Sequence, residues 1–262
     1  MKRLLIAYTG FIAAFLAFSA AVVLILSLAF PCYGGEHQFT YFKKKAAAGG
    51  GGSSAAVFVQ GNVNDGGASA SSLGVSLTGV AAGNLIVVFT AWETTTATPT
   101  ASDGTTSMTA GTINSAGDAD RWAMFFYLLS ANSGDKTYTI TYGATVDWPS
   151  VMVMEFNADG GTWSLVAQRA DGAGTPAANF SSGNIDGSAI GTSGVAIGGY
   201  HTGGSSASSA ETVNGASATT NIQRSSLDSM FYVVNNGDAT TAAAGTCTSQ
   251  YWQCNIIAFE AQ

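Results

Sequence analysis

Short runs of apolar, β-branched and aromatic residues alternate along the chain with clusters of glycine, asparagine, aspartate and serine. Runs of this length between turn residues predict β-strands, and no long stretch after residue 54 keeps apolar residues at helical spacing. The predicted strands are Ala56–Gln60, Leu73–Thr78, Asn84–Trp92, Ser107–Gly111, Arg121–Leu129, Thr137–Tyr142, Val151–Asn157, Ser164–Gln168, Gly194–Tyr200, Met230–Val234 and Asn255–Glu260. The pattern therefore predicts an all-β fold.

The run Val151–Asn157 alternates between two kinds of side chain. Val151, Val153 and Glu155 share one face of the predicted strand, and Met152, Met154 and Phe156 share the other. Faces of unequal character are typical of a strand that lies between a core and a wet surface. We therefore expect one face of this strand to meet solvent.

The order of these runs occurs twice in the chain. Met124–Ala158 returns as Met230–Gln262, and both contain an aromatic-aliphatic run, Gly-Asp, a threonine-rich run, a tryptophan and an apolar strand that carries a glutamate. Shorter upstream matches join Gln60–Gly67 to Gln168–Gly174 and Gly83–Ala91 to Gly194–His201. Similarity at a long fixed period indicates a duplicated unit. We predict pseudo-repeats at about residues 55–160 and 163–262.

Two arrangements would satisfy such a duplication. The two halves could form one jelly-roll-like β-sandwich related by pseudo-symmetry, or two immunoglobulin-like sandwiches in tandem. The connection at Ala158–Thr162 is short, and no proline-rich linker divides the halves. The short connection favours the single jelly roll, and the tandem sandwiches are the alternative.

An uncharged apolar run, Leu4–Phe30, precedes the predicted strands and predicts an N-terminal helix long enough to cross a bilayer. It exceeds the usual apolar core of a signal peptide, although small residues near its end suit a signal peptidase. An uncleaved anchor, a cleaved signal and a true start near Tyr41 remain alternatives. We assign residues 1–31 to a signal anchor or signal peptide, 32–54 to a Gly/Ser-rich tether and 55–262 to the β domain. The expected location is extracellular or at the cell surface, secreted or anchored in the membrane through residues 4–30.

The charge balance narrows the classes of partner. Charged residues make up 10% of the chain, and the formal net charge is −7. The basic residues of the β domain are Arg121, Lys136, Arg169 and Arg224. Nucleic-acid binding requires clustered lysines and arginines, so we expect no nucleic-acid partner. A chain with few charges and much glycine, serine and threonine is typical of an extracellular β-protein.

Two cysteines, Cys247 and Cys254, flank a short segment before the last predicted strand, and Cys32 lies beside the apolar run. We predict a disulfide between Cys247 and Cys254 across a hairpin, with free buried thiols as the alternative. No histidine or further cysteine stands near them, so metal ligation is not expected. A disulfide would agree with an oxidising compartment.

Histidine and glutamate are the residues on which catalysis would depend. His201 is the only histidine of the β domain, and no G-x-S-x-G motif accompanies it, so we interpret it as an exposed strand-end residue. Glu155 and Glu260 resemble the carboxylate pair of a glycoside hydrolase. Their recurrence at equivalent repeat positions instead favours a structural role, such as accepting backbone hydrogen bonds. We predict that the protein is not an enzyme and assign no catalytic residue.

Acidic and amide side chains cluster at Asp118-Ala119-Asp120 and at Asn62–Asp65. Such oxygen-rich loops can hold Ca²⁺, so Ca²⁺ is the cofactor to consider here. Asx-rich turns produce the same composition for reasons of backbone hydrogen bonding. We therefore assign no cofactor and no metal site.

Tryptophans stack on sugar rings where they are exposed. Trp148 and Trp252 are equivalent in the two repeats, which favours positions in the core or at a strand-end corner. The weak candidates for ligand contact are Trp92, His201, Asp118 and Asp120.

Several motifs of the chain resemble a family of β-sandwich proteins found in bacterial and phage genomes. The motifs are G-N-L-I-V-V at 83–88, S-D-G at 102–104, F-F-Y-L-L-S-A-N-S-G at 125–134, K-T-Y-T at 136–139 and E-F at 155–156, and the resemblance covers residues 55–262. Members with a known context are similar to tail-fibre, virion-surface or secreted adhesive modules. The resemblance implies a non-enzymatic extracellular or virion-surface module with a structural or adhesive role.

Two alternatives to this role are a carbohydrate-binding module and a glycoside hydrolase of concanavalin-like fold. The expected partner is a cell-surface or polysaccharide ligand, or a second copy of the chain.

Overall fold

The computed structural model describes residues 55–94, 97–115, 120–159, 161–185, 190–203, 208–213, 215–218, 220–224, 227–234 and 241–262. Within these ranges every regular element is a β-strand, so the predicted all-β class is confirmed. The described part of the chain contains no helix that is long and apolar enough to cross a bilayer. The predicted anchor at 1–31 and tether at 32–54 lie outside the described residues.

The strands fall into a first half, residues 55–159, and a second half, residues 161–262. In the first half they are β1 (Val57–Asp65), β2 (Ser69–Val80), β3 (Leu85–Glu93), β4 (Thr100–Ser102), β5 (Thr109–Ala110), β6 (Asn114–Ser115), β7 (Arg121–Leu128) and β8 (Gly134–Asn157). In the second half they are β9 (Trp163–Gly172), β10 (Ala177–Ser181), β11 (Gly194–Thr202), β12 (Ser209–Val213), β13 (Ala216–Ser217), β14 (Thr220–Arg224), β15 (Asp228–Val234), β16 (Ala243–Gln250) and β17 (Trp252–Ala261).

Every pairing between these strands is antiparallel. The first half forms one sheet of order β1-β8-β3-β7-β5, with β2 and β4 paired to β8 and β6 paired to β7. The second half forms a sheet of order β14-β15-β11-β17-β9 and a smaller sheet of order β10-β16-β12-β13. The path β1-β8-β3-β7 in the first half is thus matched by the path β9-β17-β11-β15 in the second. We call the sheets on these two paths the central sheets.

The central core lies between the two central sheets. It combines alternate residues of β3, β7 and β8 with alternate residues of β11, β15 and β17. Phe89 of β3 packs against Gly199 of β11, where an added Cβ atom would lie 2.4 Å from the phenyl ring. Because glycine has no Cβ atom, the two sheets approach each other closely at this point.

Each central sheet also buries its other face. In the first half this face packs on β2, β4 and the first part of β8 around Phe126, Tyr138 and Ile140. In the second half it packs on β10, β12 and β16 around Phe180 and Phe231. Strands β3, β11 and β17 are therefore almost continuously buried, which explains their mainly apolar sequences.

The prediction that one face of Val151–Asn157 meets solvent is wrong, because this strand also belongs to a sheet that is covered on both faces. The side chains from Val151 to Phe156 are all buried, because the two faces of this part of β8 meet two different cores. Strand β8 runs through both layers of the first half, pairing with β2 before its bend and with β1 and β3 after it. The bend contains Gly143 and Trp148 in the left-handed region, with φ values of 75° and 49°. In the second half, two separate strands, β16 and β17, take the place of the single strand β8.

Side-chain amides of β1 close the open edge of β2. The three hydrogen bonds are Gln60 Nε2 to the Thr78 carbonyl at 3.0 Å, Asn62 Nδ2 to the Ser76 carbonyl at 2.8 Å and Asn64 Nδ2 to the Gly74 carbonyl at 2.6 Å. An open strand edge is a template for pairing with another chain, and these amides occupy its carbonyl groups. The Asn62–Asp65 segment considered for Ca²⁺ is thus part of a strand rather than a loop.

Asp103 organises the turn after β4. Its Oδ1 atom accepts hydrogen bonds from the backbone N–H groups of Thr105 and Thr106, at 2.9 and 2.5 Å, and from the Thr105 hydroxyl. The Lys136 ammonium group lies 3.6 Å from Oδ2. Burial by itself would raise the pKa of this carboxyl group, but these hydrogen bonds and the lysine charge together lower it to about 2.

Acid should therefore weaken the fold through Asp103. A carboxyl group whose pKa is lower in the folded state than in the unfolded state stabilises the protein above its unfolded value of 3.8, and this contribution disappears as the pH falls towards 2. The shift corresponds to about 2 kcal/mol. We expect Asp103→Asn to reduce the acid-dependent loss of unfolding free energy between pH 5 and pH 2, measured by urea titration. An unchanged pH profile, or an equal change in the exposed control Asp65→Asn, would contradict this assignment.

Candidate functional site

One end of the central sheets gathers charged and aromatic side chains. Strands β3 and β11 end there, β7, β15 and β17 begin there, and the bend of β8 lies beside them. We call this group the strand-end cluster, and its members are Glu93, Thr94, Arg121, Asp147, Trp148, His201, Asp228 and Tyr251.

Two acid–base pairs occupy matching positions in the cluster. Glu93 lies opposite Arg121 across β3 and β7, and His201 lies opposite Asp228 across β11 and β15. The Arg121 Nε atom is 3.9 Å from Glu93 Oε1, whereas His201 Nδ1 is 2.5 Å from Asp228 Oδ1. Strand alternation places both pairs on the faces that form the central core, because Ala91 and Ile197 precede them at even spacing. Each half therefore ends its contribution to the central core with an acid–base pair.

Arg121 also contacts the second half directly. Its guanidinium carbon lies 5.8 Å from the centroid of the Tyr251 ring, a cation–π distance. A Cβ atom at Gly203 would lie 1.8 Å from Arg121 Nε, so a side chain at position 203 would displace the arginine. The Gln253 side-chain amide donates a hydrogen bond to the Arg121 carbonyl group. These contacts hold the two halves together at the polar end of the central core.

The exposed position expected for His201 is wrong. His201 and Asp228 are both about 1% exposed, because the face-to-face packing of the central sheets covers this strand end. Within the described residues His201 Nε2 has no hydrogen-bond partner, so no serine hydroxyl completes a Ser-His-Asp arrangement there. Ser229, beside Asp228, instead bonds to the Ser208 hydroxyl at 2.9 Å. The histidine is thus a buried residue of the interface between the halves.

The other weak candidates have different positions. Trp92 is fully buried and packs on Trp122 and Tyr142 with ring centroids 6.3 and 5.6 Å away, so its assignment as a ligand contact is wrong. Asp118 lies outside the described residues. Asp120 is exposed, and its carbonyl group accepts a hydrogen bond from the Thr94 N–H group at 2.7 Å. In the described ranges no three His, Cys, Asp or Glu side chains are grouped to hold a metal ion.

The two tryptophans expected in equivalent positions differ in exposure. Trp252 is buried, whereas Trp148 is 49% exposed at the β8 bend. Of the two positions that the sequence favours, the core and a strand-end corner, Trp148 therefore occupies the corner. Trp148 and Thr94 both have left-handed backbone, with φ values of 49° and 72°. Asp147 links them, because its Oδ2 atom accepts a hydrogen bond from the Thr94 hydroxyl at 2.9 Å. A bulky and a β-branched residue in this region are strained, so the β8 bend is a strained surface corner.

The two glutamates lie at the opposite end of the central sheets, where β3 and β11 begin. Glu155 Oε1 accepts hydrogen bonds from the Ala81 N–H group at 3.1 Å and from the Asn84 amide at 2.6 Å, and Oε2 accepts one from Gln60 at 2.5 Å. In the second half, Glu260 accepts hydrogen bonds from the Gly191 N–H group at 2.7 Å and from the Ser193 hydroxyl at 2.6 Å. Both carboxylates thus accept a backbone hydrogen bond from the loop before the adjacent strand, as the sequence predicts.

The predicted disulfide is not formed. Cys247 and Cys254 are free thiols on β16 and β17, which belong to different sheets rather than to one hairpin. Their sulfur atoms face different carbonyl groups, that of Ala177 for Cys247 at 3.5 Å and that of Ala243 for Cys254 at 3.6 Å. Burial raises the pKa of the Cys254 thiol, and the negative charge of Asp171 adds to this effect. Cys247 is only partly buried.

The two thiols should therefore differ in reactivity. The thiolate is the nucleophile, so a buried thiol with a raised pKa reacts slowly with alkylating reagents. Under native conditions we expect iodoacetamide to modify Cys247 well before Cys254, and both cysteines to react after unfolding in denaturant without reductant. Peptide mass spectrometry measures both. A peptide pair joined through Cys247 and Cys254 would contradict the free-thiol arrangement.

No protein-family model matches the chain, and no curated protein matches it. Among solved structures, the chain is similar to a conserved protein of unknown function from Pseudomonas aeruginosa PAO1, with 11% identity, 78% of this chain and 82% of that chain covered, and a TM-score of 0.29. It is also similar to a BuGH86 variant in complex with neoagarooctaose, with 11% identity, 78% of this chain and 34% of that chain covered, and a TM-score of 0.21. The likenesses are too distant to carry an argument about function.

Proposed function

We propose that the chain is a non-enzymatic β-sandwich module with a structural or adhesive role, extracellular or on a virion surface. The observation that carries the proposal is the use of both candidate catalytic carboxylates as loop anchors. Glu155 and Glu260 each accept at least two short hydrogen bonds from their own half. A carboxylate held by donors that fix a loop is a scaffold group, whereas an acid/base residue needs access to substrate.

The proposal includes the origin of the architecture. The matched strand order of the two halves supports a duplicated unit. Three separate cores, one between the halves and one within each half, support the alternative of two sandwiches in tandem over a single jelly roll. In this arrangement the two sandwiches share a large buried interface, which is why no linker is needed between them.

The strand-end cluster is the proposed recognition surface. Sandwich proteins present loops at the ends of their strands, and the strained corner of Thr94 and Trp148 lies at this end. The glutamate end instead has loops tied to the carboxylates of Glu155, which is buried, and Glu260, which is partly buried. A recognition role fits the first end because strain is typically retained where a binding surface is fixed in advance.

Binding without turnover tests this function. The full-length chain is incubated with insoluble polysaccharides and with intact bacterial cells, and the bound fraction is measured by sedimentation. Self-association is measured in parallel by analytical ultracentrifugation. We expect retention on a surface or association with a second copy. A chain that binds none of these surfaces and stays monomeric would contradict an adhesive role.

A carbohydrate-binding module is the second candidate, and one observation favours it. Trp148 offers a half-exposed indole ring, and its chain neighbour Asp147 accepts a hydrogen bond from the Thr94 hydroxyl. Flat aromatic surface beside hydrogen-bonding groups is the arrangement that sugar rings require.

A further inference from the structure

We propose that the β8 bend binds an uncharged polysaccharide, with the Trp148 indole ring stacked on a sugar ring and Asp147 and Thr94 beside it as hydrogen-bonding groups. This inference rests on the proposed recognition function and names its ligand class and its principal contact. The sequence pattern allows a core or a strand-end corner position for Trp148, and the structure has it at the exposed corner.

The exposure of Trp148 by itself needs no explanation, since single exposed apolar residues are common. Its backbone is the informative feature. The chain leaves extended geometry twice within the β8 bend, and one of these positions is Gly143, with φ 75°. Glycine adopts this conformation without strain, whereas tryptophan does not. At Trp148 the chain thus has a strained bulky residue whose side chain is 49% exposed and belongs to none of the three cores.

The corner is fixed in place by its backbone contacts. The Trp148 N–H group donates a hydrogen bond to the Ala68 carbonyl group at 3.1 Å, and the Gly66 N–H group donates one to the Pro149 carbonyl group at 2.9 Å. Both contacts tie the bend to the turn between β1 and β2. A backbone held in this way loses little conformational freedom when a ligand binds at the bend, which favours binding.

The polar neighbours suit a sugar. The Thr94 hydroxyl donates to Asp147 Oδ2 at 2.9 Å, and both residues reach the surface. Carboxylate and hydroxyl oxygens accept hydrogen bonds from sugar hydroxyl groups, while the indole face covers the carbon–hydrogen face of the ring. Glycan recognition requires this combination of one flat apolar contact and directional polar contacts.

Charge selects an uncharged polymer. Glu93, Asp120 and Asp147 surround the corner, and the only described cation of the strand-end cluster, Arg121, is 3.9 Å from Glu93. The formal net charge of the chain is −7. Anionic polysaccharides and anionic lipid surfaces would therefore be repelled at low ionic strength. Among the described large apolar side chains only Ile113, at 41%, is comparably exposed, so the corner lacks the broad apolar patch of a protein interface.

The test measures both polysaccharide binding and the urea unfolding midpoint of the variant Trp148→Gly, so that a loss of binding can be told from a loss of stability. Trp148→Gly removes the ring and relieves the strained backbone, while Trp148→Phe keeps an aromatic face and Ile113→Gly removes the other exposed apolar side chain. Retention of the full-length chain on insoluble cellulose, starch and chitin is measured together with the urea midpoint. We expect Trp148→Gly to weaken binding about tenfold or more, as for a central aromatic contact, without lowering the midpoint. Trp148→Phe should bind with intermediate affinity and Ile113→Gly like the wild type.

Each other outcome overturns the inference in a recognisable way. Unchanged binding by Trp148→Gly would leave the chain a polysaccharide binder at another place. A lowered midpoint with unchanged binding would make Trp148 a structural residue. Retention on none of the three polymers, with self-association that Trp148→Gly abolishes, would replace the sugar by a second copy and leave the adhesive function standing. Neither retention nor self-association nor cell binding would remove both the inference and the proposed function.

Discussion

Replacing Phe89 by alanine is expected to lower the free energy of unfolding by about 3–5 kcal/mol. Phe89 is fully buried in the central core, where its ring contacts Gly199 of the other half and lies 5.1 Å from the Phe125 ring. Removing the ring leaves a cavity between two sheets that are buried on both faces and cannot collapse easily. Urea unfolding followed by tryptophan fluorescence measures the loss.

A double-mutant cycle shows whether Phe89 acts across the two halves. Gly199→Val alone should destabilise the protein by overpacking, because its Cβ atom would lie 2.4 Å from the Phe89 ring. Combined with Phe89→Ala, the valine enters the space that the ring vacated, so the two losses should not add. Phe126→Ala is the matched control, since Phe126 is buried within the first half. Its loss should add to that of Gly199→Val, and equal additivity in both pairs would exclude direct packing between the halves.

Glu155→Gln is expected to lower the free energy of unfolding by about 1–3 kcal/mol. The partners of this carboxylate are the Ala81 N–H group and the side-chain NH₂ groups of Asn84 and Gln60, which donate hydrogen bonds and cannot accept them. A glutamine would turn its own NH₂ group towards one of them, and two buried donors would face each other. The loss should be visible in thermal and urea unfolding.

Glu260→Gln should cost less, below about 1 kcal/mol. One of its two partners is the Ser193 hydroxyl, which can rotate and accept a hydrogen bond from the new amide. Glu260 is also less buried than Glu155. A larger loss in Glu260→Gln than in Glu155→Gln would contradict the hydrogen-bond assignments at these two loops.

The strands were predictable from the sequence because apolar runs between turn residues are a local signal. The bounds of Asn84–Trp92, Gly194–Tyr200 and Asn255–Glu260 lie within three residues of those of β3, β11 and β17. The backbone role of Glu155 followed from its recurrence in the second half at Glu260. Local composition and internal comparison were sufficient for these features.

The layers were not predictable, because covering both faces of a strand depends on residues far away in the chain. Val151–Asn157 alternates as a half-exposed strand would, yet a second core covers its other face. The sequence predicts an exposed His201, whereas the folded protein leaves it only about 1% exposed. The nearly continuous apolar sequence of β3 was the available signal, since strands buried on both faces typically have such runs.

The exposure of Trp148 and the separation of the two thiols were not predictable from the sequence, for a different reason. Equivalence with Trp252 leaves both a core position and a strand-end corner open for Trp148, and the halves diverge at this point, where β8 continues and β16 and β17 separate. Cys247 and Cys254 are close in sequence, and the break between those two strands sends them to different sheets. The backbone geometry at the β8 bend and at the break between β16 and β17 decides these two outcomes. The sequence alone does not reveal that geometry.

The most direct measurement of the non-enzymatic assignment is reducing-end release from a polysaccharide panel by the wild type, Glu155→Gln and Glu260→Gln, with the melting temperature of each. We predict no release by any of the three proteins and a lower melting temperature for Glu155→Gln. Groups that act mainly in a transition state would behave in the opposite way. Release by the wild type that either substitution abolishes, at an unchanged melting temperature, would show the glutamates to be a catalytic pair and would contradict the scaffold role assigned to them.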